Sequence, residues 1–315
     1  MTDPTGTDAS PDLVAELRGR LGPVGIWTGG LDGLPVADAG AFAAEVERLG
    51  AGGLWYGEAY GRESFAQAAL CLDTTSTLVV GSSIASIHAR DALAARGAQA
   101  TTGARHPGRF VLGLGVSHAP LVERVRGHEY GKPLAAMRTY LDALDQVSPV
   151  VADAAPARPR MLAALGPRML ELSRDRADGA LPYLTLPEHT AEARAILGAD
   201  KLLVVEQGAV LADDPDEARQ RTHTHLEVYT GLPNYRASWT RQGFDDADYV
   251  RGGSDRLKDA LVTSGLDATR ARIVEHLDAG ADQVCLQVLG AHPLDANLPD
   301  VTRLLEAATN WSLGR

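Results

Sequence analysis

Cysteine is nearly absent: Cys71 and Cys285 are the only two in 315 residues, far apart and without metal-ligand spacing. That excludes a disulfide framework and a thiolate zinc site, and it predicts two free, buried thiols in a reducing, cytoplasmic setting. Aromatic residues are scarce at 5%, so the core must be built from small aliphatic side chains. No apolar run approaches the length of a membrane helix, and the polar stretch from Met1 to Ser10 lacks the basic and apolar regions of a signal peptide. Basic charge is not in excess. A net charge of -11, with acids and bases interspersed, argues against nucleic acid as a partner. Gly-x-Ser-x-Gly, Walker and His-Glu-x-x-His patterns are all missing, which removes the simplest hydrolase, NTPase and zinc-protease readings.

What remains is a chain of 45% hydrophobic and 23% charged residues in which short apolar runs alternate with helical patterns. Residues 1–10 read as a disordered tail and 11–315 as one domain. Eight runs have strand character: 24–27, 53–56, 77–84, 107–118, 160–165, 179–184, 202–206 and 283–288. Helical periodicity separates nearly all of them. Strict alternation implies parallel strands with right-handed crossovers, and eight units in this length favour a closed (β/α)8 barrel. The long helical stretch before the last strand is an insertion between strands 7 and 8.

The run from Pro107 to His118 organises the rest. Val111, Leu112 and Leu114 give it β-compatible bulk, while Gly113 and Gly115 remove side chains where another group approaches the backbone. Its Gly-Leu-Gly resembles a dinucleotide fingerprint, but the third glycine is missing and Pro120 follows without a helix cap. His118 is the first proton-carrying side chain past the glycines. In a barrel, chemistry is placed at the C-terminal strand ends. There the chain puts Trp27, Glu58, Ser83-Ile84, Ser117-His118, Gly166-Pro167-Arg168, Leu184-Thr185 and Glu206-Gln207.

Glu58 and His118 form the acid/base pair nearest the centre of that end, although Glu58 equally suits a salt bridge to Arg62. Gly166, Pro167 and Arg168 open a helix with a proline at its first position and a basic side chain, which suits a phosphate cradle as well as an ordinary turn. The small residues from Gly81 to Ser86 allow a bulge that would support a ring. Trp27, Tyr56 and Tyr60 are candidate substrate-pocket walls. His223 and His225, two apart on a polar helix, read as solvated. No metal site is expected.

Leu54-Trp55-Tyr56-Gly57-Glu58 with Arg62-Glu63, Ile84 to Asp91, Pro107 to Glu123, Ala164 to Pro167 and Pro182 to Thr190 together resemble the luciferase-like flavin and deazaflavin oxidoreductases. The actinobacterial branch that uses coenzyme F420 is the nearest in pattern. This resemblance implies a (β/α)8 fold, a homodimer, and hydride transfer between F420 and a small organic substrate. It also implies a non-proline cis peptide at Ser83-Ile84 behind the coenzyme ring and phosphate binding at Gly166, Pro167 and Arg168. Gly115, Ser117, Leu184 and Thr185 would complete the coenzyme site, with His118 as proton donor or acceptor. The histidine that relatives carry after the acid of the second strand is Ala59 here. Two other readings stay open: an FMN-dependent monooxygenase, and a barrel without cofactor that serves as a binding or structural partner.

Overall fold

A computed structural model describes residues 11–148, 150–152 and 159–313. The tail assigned to residues 1–10, and most of the expected Pro/Ala-rich loop at 148–159, lie outside the described residues. Eight parallel strands close into a barrel: β1 (Val24–Thr28), β2 (Gly53–Tyr56), β3 (Val79–Ser82), β5 (Phe110–Gly115), β6 (Arg160–Leu162), β7 (Gly179–Ala180), β8 (Leu202–Val210) and β10 (Gln283–Val288). Closure comes from β10 pairing with both β1 and β8, with Val24 opposite Val284 and Glu206 opposite Cys285. Two short strands lie off this circuit: β4 (Ala85–Ser86) beside β5, and β9 (Val262–Ser264) beside β8. The (β/α)8 expectation therefore holds for the described chain. The strand β9, inside the stretch read as helical, did not register because three residues carry no periodicity.

Strand alternation divides the core in two. Ile26, Leu54, Val80, Leu112, Leu162, Leu203 and Leu286 face the surrounding helices, while Trp27, Trp55, Val79, Val111, Met161, Val204 and Cys285 fill the barrel. Helix α1 (Pro11–Leu21) closes the N-terminal end, sending Leu17 and Leu21 into the barrel cluster. There the Leu21 carbonyl accepts from Gln283 Nε2 at 2.6 Å, and Gln283 Oε1 accepts from Trp55 Nε1 at 2.7 Å. Both thiols are free and buried.

Helices α2 (Val36–Arg48), α3 (Ser64–Asp73), α4 (Ala92–Arg105), α5 (Pro133–Gln146), α6 (Pro167–Arg176) and α7 (Pro187–Leu197) follow successive barrel strands. Asp91 caps α4 by accepting from the Ala94 N–H at 2.7 Å. Asp38 lies in the first turn of α2, where its charge meets the positive helix end. After β5 the chain enters a π-helical turn, Pro120–Val125, which begins at a proline without a side-chain cap. The insertion supplies α8 (Pro215–Tyr229), α9 (Pro233–Arg241) and α10 (Asp255–Leu261) before β9, α11 (Leu266–Asp278) and β10; α12 (Leu298–Ala308) ends the fold. Leu226, Tyr235, Trp239, Tyr249, Leu257 and Val262 give the insertion its own core, joined by Leu184 and Leu289 from the barrel's C-terminal rim. The insertion is thus packed against one side of the barrel mouth.

Candidate active site

The third strand is interrupted at the mouth. Gly81 lies opposite Val111 and Ala85 opposite Leu114, so this strand advances four residues while β5 advances three. The extra residue is a bulge at Ser83-Ile84, and the peptide between these two is cis. Trp27 Nε1 donates to the Ser83 carbonyl at 3.1 Å, which ties the bulge to β1. Gly115 does not clear space for a ligand directly, as its sequence position suggested: a Cβ there would lie 2.4 Å from Cγ1 of Ile84. The glycine makes room for Ile84, and half-buried Ile84 is the surface that faces the mouth.

His118 is half-buried just beyond β5, its ring 5.8 Å from that of Tyr235. Burial pulls its imidazole below the ordinary histidine range, so it is neutral at neutral pH. Ser117 before it takes a positive φ of 58°, and its carbonyl accepts from the Tyr130 hydroxyl at 3.1 Å.

Glu58 has a different environment from the one expected. Its carboxylate pairs with Arg90 rather than Arg62, and it also accepts from the N–H groups of Ser64 at 3.2 Å and Ser86 at 2.8 Å. Arg90 binds Glu63 as well, at 2.7 Å, whereas Arg62 caps the carbonyls of Leu31 and Leu34. Both oxygens of Glu58 are engaged, and the carboxylate clamps the loops after β2 and β4.

Two of the proposed pocket walls also move. Tyr56 follows inward-facing Trp55 and so points outward into the helix layer, where its hydroxyl donates to the Ser64 carbonyl at 2.6 Å. Tyr60 is 77% exposed on the loop after β2. Trp27, by contrast, faces inward, with its ring 5.1 Å from Tyr183.

At the start of α6, Gly166 is extended and Pro167 occupies the first helical position, so this turn presents N–H groups that lack helical acceptors. Arg168 is exposed and makes no ion pair or side-chain hydrogen bond among the described residues. The preceding Leu165 carbonyl accepts from Arg241 at 2.6 Å and contacts His189 Nε2 at 3.1 Å, which anchors α9 to this turn. Thr185 Oγ1 is buried without a hydrogen-bond partner among the described residues. Leu184 offers a ligand nothing. Its N–H donates to Glu206 Oε2 at 2.9 Å, its carbonyl accepts from Trp239 Nε1 at 2.9 Å, and its side chain is buried in the insertion core.

The residues missed from sequence come mostly from the insertion. Tyr183, Tyr229 and Tyr235 stack edge to face or tilted at 4.9 to 6.3 Å, and Tyr183 Oη donates to Gln287 Oε1 at 2.6 Å. His225 lies against Tyr183 and Tyr229, and burial pushes its pKa down to about 4. It is not the solvated residue its polar helix suggested. Its spacing from Tyr229, one helical turn, was the available signal. Among the described residues no group of three or more His, Cys, Asp or Glu could hold a metal ion, and no helix is long and apolar enough to cross a membrane.

Over 183 residues the chain is 28% identical to a protein of Mycobacterium tuberculosis named as a coenzyme F420-dependent oxidoreductase; the match takes in 49% of this chain and 53% of that protein. The chain thus spans about half the length of that curated relative. The F420-dependent tetrahydromethanopterin reductase of Methanopyrus kandleri superposes with a TM-score of 0.68 at 16% identity, over 92% of this chain and 97% of that one. The oxygenating constituent of 3,6-diketocamphane monooxygenase from Pseudomonas putida, bound to FMN, gives 0.69 at 10% identity, again over 92% and 97%. At such identities these two show the fold. The family model for luciferase-like monooxygenases matches residues 21–277, and the chain belongs to that family.

Proposed function

We propose that this protein is an F420-dependent oxidoreductase that moves a hydride between the deazaflavin and a small organic substrate, with His118 handling the accompanying proton. The observation that carries this reading is the mouth itself. Trp27, Ile84, His118 and Tyr183 surround it, it holds no metal-ligand cluster among the described residues, and its imidazole is neutral. The similarity to the mycobacterial relative favours a deazaflavin over FMN.

The residues present fit such a coenzyme. Ile84 on the bulge would back the ring, and the first turn of α6 with unpaired Arg168 would take a phosphate through its N–H groups and a positive charge. Orphaned Thr185 Oγ1 is a further donor at a neighbouring strand end. When bound, the coenzyme supplies the hydride chemistry. The protein excludes water with aromatic side chains, fixes the ring against Ile84, and offers His118 Nδ1 or Nε2 as a proton acceptor at neutral pH.

Titration of the purified protein with F420 and with FMN, followed by tryptophan fluorescence, tests the assignment. Tight F420 binding with weak FMN binding supports it. The reverse order moves the protein to the oxygen-using flavin branch, and binding of neither leaves a barrel that works as a binding partner.

A further inference from the structure

Glu206 is an acid with no base to pair with. It is on the inward face of β8, 2% exposed, with Oε2 on the Leu184 N–H and Oε1 without a hydrogen-bond partner among the described residues. Tyr183 after β7, Tyr229 on α8, Tyr235 on α9 and Cys285 on β10 all lie within its electrostatic reach. His225 and Gln287 border the same tyrosines. None of these groups is a cation at neutral pH, and an unpaired buried carboxylate is far costlier than a buried carboxylic acid. Glu206 therefore keeps its proton, with a pKa pushed up to about 8 by burial. A neutral carboxyl with a free oxygen is a donor waiting for an acceptor, and no acceptor within the described chain meets it.

We propose that Glu206 is a further residue of the barrel-mouth site, a neutral carboxylic acid that donates a hydrogen bond from Oε1 to a carbonyl oxygen of the uncharged group seated against Tyr183 and Gln287. This rests on the mouth being the coenzyme and substrate site. It gives that site two opposite proton groups, an acceptor at His118 and a donor at Glu206, and groups whose environments push their pKa values apart in this way divide the acid and base roles between them. The preferred ligand is then a carbonyl-bearing neutral group. That chemistry belongs to the deazaflavin ring and to a small ketone alike.

The test is a carbon NMR titration of the intact protein labelled at its glutamate carboxyls, compared with Glu206→Gln. One resonance should titrate near pH 8 rather than near 4.5 and should be missing from the variant. If every glutamate titrates in the ordinary range, the proposal is overturned. Saturating F420 is then added, followed by cyclohexanone. A shift of the Glu206 resonance with F420 alone assigns the carbonyl to the coenzyme, and a shift only with cyclohexanone assigns it to the substrate. No shift in either arm, with F420 binding verified by tryptophan quenching, reduces Glu206 to a buried structural acid and overturns the proposal. If F420 does not quench at all, the coenzyme reading fails by itself and the cyclohexanone arm decides the role of Glu206. Loss of affinity for the responding ligand of about tenfold in Glu206→Leu, with near-native affinity in Glu206→Gln, is expected because the amide keeps a donor.

Discussion

Gly115 and Ile84 are fitted to one another: a Cβ added to the glycine would lie 2.4 Å from Cγ1 and 2.5 Å from Cδ1 of the isoleucine. The bulge at the mouth keeps its shape because β5 carries no side chain beneath it. Gly115→Ala should destabilise the protein by about 1–3 kcal/mol through overpacking and should weaken F420 binding by displacing Ile84. Adding Ile84→Ala should recover part of the stability, and a double-mutant cycle by urea unfolding measures the coupling. Additive losses would show that the two side chains do not compete for this space.

Removing the partner of a buried charge is a separate matter from removing bulk. The side chains of Glu58 and Arg90 are 5% and 9% exposed, so Arg90→Ala leaves the carboxylate buried and unpaired. A loss of about 3–5 kcal/mol is expected by denaturant titration. A loss within about 1 kcal/mol would show that the Glu58–Arg90 pair does not hold these loops together.

The dependence of stability on pH follows from Glu206. Its folded pKa of about 8 lies above the ordinary 4.5, so the unfolded chain releases this proton first as pH rises. Its contribution is fully present below about pH 4.5, erodes between there and about 8 at about 1.4 kcal/mol per pH unit, and is flat beyond. Glu206→Gln should remove that slope. Urea midpoints measured across the window check it, and equal slopes in both proteins would contradict a neutral Glu206.

His118→Ala should lower turnover by about 10²- to 10⁴-fold while leaving F420 affinity within a small factor. Because burial lowers the imidazole pKa, the base-dependent direction of the reaction should lose rate only below the ordinary histidine range, as pH falls through that lowered value. Stopped-flow rates against pH test both statements, and an unchanged rate in the variant removes His118 from the chemistry.

The two arginines near the α6 turn should separate. Arg168 is exposed and unpaired among the described residues, so Arg168→Ala should leave stability within about 0.5 kcal/mol and weaken F420 binding. Arg241 reaches the Leu165 carbonyl at 2.6 Å and the Ala237 carbonyl at 2.9 Å, so Arg241→Ala should loosen α9 and lower both quantities. Thermal unfolding and fluorescence titration on the same samples tell the two apart.

Much of this was legible without coordinates because its cause is local. Short apolar runs, helical periodicity between them and a proline at the first position of α6 are statements about neighbours in sequence, and all eight barrel strands follow from the first two. Strand ends were legible less accurately: β7 keeps only Gly179 and Ala180 of the six residues read, since Pro182 cannot donate to a ladder, and β8 runs on past Glu206 to Val210.

The sequence by itself determined the alternation of strands and helices, hence the closed parallel barrel and the set of residues that reach its C-terminal rim. Only the tertiary structure decided what those residues meet there. It paired Glu58 with Arg90 instead of Arg62, turned Tyr56 outward, filled the space at Gly115 with Ile84, brought Tyr229 and Tyr235 from the insertion within electrostatic reach of Glu206, and set His225 against Tyr229. The physical reason is that propensity and periodicity act within a few residues of chain, whereas ion pairing, desolvation and close packing depend on groups separated by 28 to 32 residues at the bulge and clamp, by 46 between Tyr183 and Tyr229 and by 55 between Leu184 and Trp239.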